Sequence, residues 1–209
     1  MDNYIIIGAR GFGREILSYV ETDRERLFVK GFLDSDPQVL HEYSTGKSII
    51  GDPFSYEPVS GDVFVAAVGD PRERFKYTAR LRELYDAVFP SLIHSTANVA
   101  PNLDLGRGCF IGPRVGISVD VKIGEFTAIQ ELTLVGHDST IGEWCQINGH
   151  CTIAGGARIG NYVTIHPNSV ITRGARVGDG VKVGAGSVVY GSIPPNVSVL
   201  GNPAKRFNF

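Results

Sequence analysis

From Ile93 onward the hydrophobic positions of the chain follow a single rule. An aliphatic residue returns at every sixth position, seventeen times in succession: Ile93, Val99, Leu105, Ile111, Ile117, Ile123, Ile129, Val135, Ile141, Ile147, Ile153, Ile159, Ile165, Ile171, Val177, Val183 and Val189. Four places later, nearly every unit carries a small residue or Val, as at Ala97, Cys109, Thr127, Ser139, Cys145, Cys151, Ala157, Ser169, Ala175 and Ser187. A glycine often follows the aliphatic residue directly, where it is expected to admit the unusual backbone angles of a turn. A period of six does not match the 3.6 of a helix, and the stretch is dense in Gly and β-branched residues. The pattern predicts a parallel β-helix of hexapeptide repeats. One unit supplies a short strand and a turn but cannot close a core, so stacking must supply it. Three units make one triangular coil, which sets residues 18 apart above one another.

Before the repeat the pattern changes. The apolar run Tyr4-Ile5-Ile6-Ile7 leads into Gly8-Ala9-Arg10-Gly11-Phe12-Gly13-Arg14 and then a helical stretch from about Glu15 to Thr22. A second strand is predicted from Leu27 to Asp34, a third over Val63 to Val68 ending at Gly69-Asp70, and another helix from Pro71 to Tyr85. Strand and helix alternating in this way predict a small parallel sheet with ligand-binding loops at the C-terminal ends of its strands. The boundary is expected near Phe89-Pro90, which divides the chain into a domain of residues 1–90 and one of 91–209.

The glycine motif suits a dinucleotide, a nucleotide sugar or merely tight packing of helix on strand. Backbone N–H groups opening the following helix are suited to a pyrophosphate, and Asp34 at the tip of the second strand to a ribose or a base.

The 209 residues carry 43% hydrophobic content and a formal net charge of −2. That balance, with no basic tract and no aromatic-rich RNA motif, argues against nucleic acid. No apolar run is long enough to span a bilayer, and no secretory leader pattern opens the chain, so membrane insertion is not expected and a cytoplasmic location is. The three cysteines, Cys109, Cys145 and Cys151, all fall in the small-residue slot, which packing explains without a disulfide or metal.

Three histidines lie inside the repeat. His137, His150 and His166 follow their aliphatic residues by two, three and one positions, so they occupy different slots and are not expected to converge on a metal. His137 stands apart for its neighbours, Val135-Gly136-His137-Asp138-Ser139. An imidazole beside a carboxylate suits a general base, while an Asp in a turn equally suits mere solvation, and these residues alone leave both readings open.

Taken together, Gly8-Ala9-Arg10-Gly11-Phe12-Gly13, Gly31-Phe32-Leu33-Asp34, Ala67-Val68-Gly69-Asp70, Gly136-His137-Asp138, the hexapeptides and the ending Ser192-Ile193-Pro194-Pro195-Asn196 through Gly201-Asn202-Pro203-Ala204-Lys205 resemble a known family. These are the bacterial nucleotide-amino-sugar N-acetyltransferases and sialic acid O-acetyltransferases of the PglD/NeuD type, and the likeness spans nearly the whole chain. The resemblance implies a Rossmann-like domain for a nucleotide sugar and a left-handed β-helix. It implies a homotrimer that binds acetyl-CoA between neighbouring helices, without a metal.

The same resemblance makes His137 the catalytic base and Asp138 its acidic partner. It sets Arg10, Gly11, Phe12, Asp34, Ser35, Gly69 and Asp70 against the nucleotide sugar, and Gln146, Gly155, Pro167 and Ala185 along acetyl-CoA. Two departures are visible: Gln146 stands where some relatives have His, and Ser35 where some have a second Asp. In the 18-residue coil Gly155 lies above His137, where its missing side chain is expected to leave room for the pantetheine arm. Arg173, one coil further, joins Lys182 and Lys205 as a candidate partner for CoA phosphates.

The activity expected is acetyl-CoA-dependent N-acetylation of a nucleotide-linked amino sugar by direct attack. Its rivals are O-acetylation of a sialic acid or related sugar, and a non-catalytic sugar-nucleotide-binding scaffold.

Overall fold

The computed structural model describes residues 2–23 and 27–207. The chain divides into two compact units, Met1–Pro90 and Ser91–Phe209.

The first unit is a four-stranded parallel sheet with two helices. Its elements are β1 (Asn3–Ile7), α1 (Gly11–Thr22), β2 (Val29–Leu33), β3 (Ile49–Gly51), β4 (Asp62–Ala66) and α2 (Pro71–Tyr85), with strand order β3-β2-β1-β4. Ile5, Ile6 and Ile7 are all buried, as a central parallel strand covered on both faces requires. The strand order reverses beside β1, so the crevice between the C-terminal ends of β1 and β4 is the topological switch point, where ligands of open α/β sheets bind.

Two elements differ from the sequence expectation. The edge strand β3 was not predicted, because three residues carry too little pattern to register. Helix α1 begins at Gly11 rather than Glu15, even though glycine is a poor helix former. Tertiary packing overrides propensity here: a Cβ on Gly13 would run into the carbonyl oxygen of Gly8, so only glycine lets the helix start this close to β1. Gly8 has φ of 95°, and a Cβ there would lie 2.9 Å from the Ala67 carbonyl oxygen. Both are needed for close approach, whereas a Cβ on Gly11 or on Gly69 would meet nothing within 4 Å.

The second unit is a parallel β-helix with three faces. Every aliphatic residue of the repeat closes a two-residue strand, from Leu92–Ile93 to Val188–Val189. Strands pair in parallel with their counterparts 18 residues away, as Val135 with Ile153 and Ile147 with Ile165. The first face runs through Gln146–Ile147, the second through Leu134–Val135 and the third through Thr140–Ile141. After Val189 the period shortens by two: Arg176 pairs with Ser192 and Lys182 with Ser198. The chain then turns back, and Lys205–Phe207 pairs antiparallel with Ser198–Leu200, covering the edge of the first face.

The turn glycines work differently from expectation. The glycine directly after the aliphatic residue has no positive φ, but a Cβ at Gly106, Gly124 or Gly136 would lie 2.5–2.7 Å from a backbone nitrogen of the next coil. Close approach selects it. The left-handed residue comes two places later, at Arg114, Asp120, Phe126, Leu132, Asp138, Trp144, His150, Tyr162 and Asn168, all with φ between 54° and 61°. The small-residue slot is buried as predicted, and its hydroxyls donate to carbonyls: Thr127 to Gly142, Ser139 to Ala154 and Ser169 to Gly184. The thiols of Cys109, Cys145 and Cys151 make the same contact with Gly124, Gly160 and His166. The cysteines therefore serve as serine analogues in the core. Burial pushes the Cys151 thiol up to about 11, too high for a nucleophile at neutral pH.

Candidate active site

In the β-helix unit, His137 and Asp138 sit on the corner between the second and third faces. The left-handed backbone of Asp138, φ 59°, turns its carboxylate back toward the preceding residue. Asp tolerates this conformation better than most side chains. Its Oδ2 lies 2.6 Å from His137 Nδ1, so Asp138 accepts the Nδ1 proton and leaves Nε2 as the basic nitrogen. The imidazole is about half exposed, and Nε2 has no protein partner among the described residues.

Gly155 lies one coil above, as the 18-residue arithmetic requires. The space over it is not empty, however. A Cβ on Gly155 would come within 2.8 Å of His137 Nε2, 2.9 Å of Cε1 and 3.1 Å of Cδ2. The missing side chain makes room for the imidazole itself.

Of the other residues expected along acetyl-CoA, Pro167 and Ala185 are exposed and share one column at the corner between the first and second faces. Within one chain that column is a full face away from His137. Gln146 points out from the first face but is buried, 3% exposed, and its amide donates to Asn148 Oδ1. The candidate phosphate partners are likewise dispersed, Arg173 above Gly155 and Lys182 and Lys205 on the first face.

His150 and His166 both lie at the corner between the first and second faces, and the described residues contain no group of three His, Cys, Asp or Glu side chains placed to hold a metal. Burial, aided by the charge of Lys182, lowers the pKa of His166.

In the sheet unit, the residues expected against the nucleotide sugar gather at the C-terminal edge of β1, β2 and β4. Arg10 and Gly11 are exposed and Phe12 is half-buried. Arg10 stands at the N-cap of α1 without a capping side chain, so the first turn lacks the side-chain acceptor that many helices carry. Gly69 is open. Asp34 is 5% exposed, and both its oxygens are engaged by backbone: Oδ2 accepts from Ala9 N–H at 2.9 Å and Oδ1 from Asp36 N–H at 3.0 Å. It clamps the glycine loop to the end of β2. Asp70 is also engaged, its Oδ1 accepting from the N–H groups of Arg72 and Glu73 as the N-cap of α2. The Ser35 hydroxyl lies 2.9 Å from that of Tyr77 on α2.

Sequence reasoning missed Arg74. It is 1% exposed, and its Nε donates to the Val68 carbonyl at 2.7 Å, bracing the loop that carries Gly69. Nothing in the spacing marks a buried arginine, since the same helix also carries Arg72, Arg80 and Arg82 and no local pattern separates Arg74 from them.

The comparisons with known proteins match a part of each unit. Residues 3–81 match the PglD N-terminal domain, and residues 156–191 match the bacterial transferase hexapeptide. No curated protein matches the chain. Among solved structures, it is similar to PerB from Caulobacter crescentus in complex with CoA and GDP-perosamine, at 28% identity and a TM-score of 0.88, covering 100% of this chain and 98% of that one. A histidine-to-asparagine variant of perosamine N-acetyltransferase from the same organism, with the same ligands, gives 27% identity and a TM-score of 0.89, with the same coverage. The acetyltransferase domain of PglB from Neisseria gonorrhoeae, in complex with acetyl coenzyme A, gives 26% identity and a TM-score of 0.67, covering 98% of each chain. A PglD N-terminal domain followed by hexapeptide repeats, with similarity along the full chain to sugar N-acetyltransferases, supports a PglD-type hexapeptide-repeat sugar acetyltransferase.

Proposed function

We propose that the chain transfers the acetyl group of acetyl-CoA to the amine of a nucleotide-linked 4-amino sugar, with His137 as general base. The observation that carries this reading is the 2.6 Å contact of His137 Nδ1 with Asp138, which makes Nε2 the basic nitrogen of the neutral imidazole. The similar Caulobacter structures hold CoA and GDP-perosamine, so a GDP-linked amino sugar is the first acceptor to test.

The chemistry follows from those two groups. The amine attacks the thioester carbonyl carbon, and Nε2 takes its proton as the C–N bond forms. Asp138 stabilises the resulting imidazolium through the Nδ1 proton. The tetrahedral intermediate then expels CoA as thiolate, which regains a proton from Nε2. A positioned base of this kind contributes about 10²- to 10⁴-fold. No covalent acyl-enzyme is needed, since all three cysteines are buried in the core.

For the nucleotide, the uncapped first turn of α1 and the open positions Gly11 and Gly69 at the switch point support a diphosphate site on the sheet unit. Asp34 and Arg74 shape it from behind. For assembly, Leu134 is 55% exposed on the second face, with Val170 and Val188 in the same column and Leu132 and Tyr190 beside it. This apolar strip supports a homotrimer in which partner subunits bring Pro167 and Ala185 toward acetyl-CoA.

The test gives wild type and His137→Ala acetyl-CoA with a panel of GDP-, UDP- and CMP-linked amino and hydroxy sugars, measuring free thiol and acetylated product by mass spectrometry. Transfer to an amine that falls at least about 10²-fold in the variant is expected. Full activity in the variant, or acetylation only of hydroxyls, overturns the reading.

A further inference from the structure

The third face of the β-helix carries an outward column of Lys122, Thr140, Arg158 and Arg176, paired in register from coil to coil. Arg158 and Arg176 are both exposed and directly opposed across parallel strands, an arrangement that is unfavourable for like charges. Neither makes an ion pair among the described residues. Their coils lie one and two levels above Thr140, which itself is three residues beyond His137. With about 4.8 Å per coil, the two guanidiniums stand about 5 and 10 Å above the level of the catalytic histidine.

Between them and the His137–Asp138 pair the surface is bare. Gly156 and Gly174 form the column directly above Asp138, and a Cβ on either would meet nothing within 4 Å. Arg173, exposed in the column of His137 and Gly155, borders the same surface on its other side. A ligand with its reacting end at His137 and anionic groups further along thus finds an open track with guanidiniums on both flanks.

We infer that Arg158 and Arg176 hold the phosphates of coenzyme A, deepening the proposed acetyl transfer, on which this inference rests. Two substrates of that reaction carry phosphate. The diphosphate of the sugar nucleotide is assigned to the first turn of α1, which leaves CoA, with its diphosphate and its separate ribose phosphate, as the polyanion for the β-helix. Planar guanidiniums suit phosphate oxygens through paired N–H donors, and phosphate between them relieves the repulsion of the stacked pair.

The experiment compares wild type with the double variant Arg158→Gln/Arg176→Gln. Calorimetry measures the binding of CoA and of pantetheine, which lacks the phosphates. Steady-state kinetics then use acetyl-CoA and acetyl-pantetheine with the amino sugar accepted by wild type. The variant is expected to bind CoA and to show a KM for acetyl-CoA weaker by at least about tenfold, with kcat unchanged. Pantetheine binding and the kinetics of acetyl-pantetheine should not move. In wild type the KM for acetyl-CoA should rise with salt, and in the variant that dependence should flatten.

Unchanged CoA binding overturns the assignment. So does an equal loss with pantetheine, or a raised KM for the sugar nucleotide alone. The binding arm needs no acceptor. If wild type acetylates no sugar in the panel, the proposed function fails while CoA binding still decides the role of the arginines.

Discussion

Replacing Gly155 with alanine separates a role in positioning His137, the proposed base, from a role in lining the cofactor site. The added methyl carbon would stand 2.8 Å from His137 Nε2 and 2.9 Å from Cε1, against the 3.5–4.0 Å of ordinary contact between carbon atoms. The imidazole must give way by about 0.7–1 Å. Moving the ring stretches the 2.6 Å bond to Asp138 that sets its tautomer. A misplacement of about 1 Å at the reacting group costs about 10²-fold, or about 2.7 kcal/mol of transition-state stabilisation.

Stability should hardly change, because Gly155 has no positive φ and the ring it meets is half exposed and free to swing into solvent. A shift within about 0.5 kcal/mol is expected. The assay is kcat and KM for acetyl-CoA at saturating amino sugar, with thermal unfolding recorded on the same samples. If Gly155 acts through His137, kcat falls about 10²-fold and KM stays within a factor of two. In the background of His137→Ala the same substitution then has no further effect, the signature of two residues acting as one unit. Activity of Gly155→Ala within twofold of wild type, or a raised KM at unchanged kcat, refutes the reasoning.

In the sheet unit, Gly13→Ala should destabilise by about 1–3 kcal/mol, since the overlap with the Gly8 carbonyl outweighs the better helix propensity of alanine; Gly11→Ala should leave the fold intact, a contrast read by urea unfolding. The carboxyl of Asp62 sits at the base of the sheet. Burial by itself would raise its pKa, but the Lys30 ammonium at 2.9 Å, the Val59 N–H and the Tyr56 hydroxyl together hold it below the usual value. Because the folded value is depressed, the stability this network contributes is full above the unfolded Asp value of about 3.9 and is lost as pH falls through the folded value. Asp62→Asn should lower stability at pH 7 by about 1–3 kcal/mol and flatten that acid limb, and an undiminished acid slope in the variant would refute the assignment. Finally, native protein should resist thiol-directed alkylation at pH 8 with full retention of activity, because Cys109, Cys145 and Cys151 are buried. Rapid labelling with loss of activity would contradict a purely structural role.

The β-helix was legible in the sequence because its contacts are local in a repeating sense: each strand meets only its counterparts one coil away, so one period carries the core, the cysteine slot and the column of His137 and Gly155. Adjacency likewise brings His137 and Asp138 together, since neighbours in sequence need only one left-handed residue to meet, while the reading of the pair as base and partner came from the resemblance. Past Val189 the period slips by two residues and the chain reverses, and no local pattern announces either event.

The sheet unit is a different case. Its strands β1 and β4 lie more than fifty residues apart, and the three-residue β3 carries almost no signal of its own. What the sequence determined by itself was every feature set by periodicity and adjacency. What only the tertiary structure decided was how competing partners share each polar group. Asp34 and Asp70 look like ligand contacts in a list of residues, and only the structure shows that their oxygens also accept from backbone N–H groups of the loops they hold. Arg74 is buried beneath a loop that needs its carbonyls held, and the absent side chain of Gly155 leaves room for the imidazole of His137. Which donors reach each polar group, and which atoms fill each space, is fixed by distances that no spacing along the chain encodes.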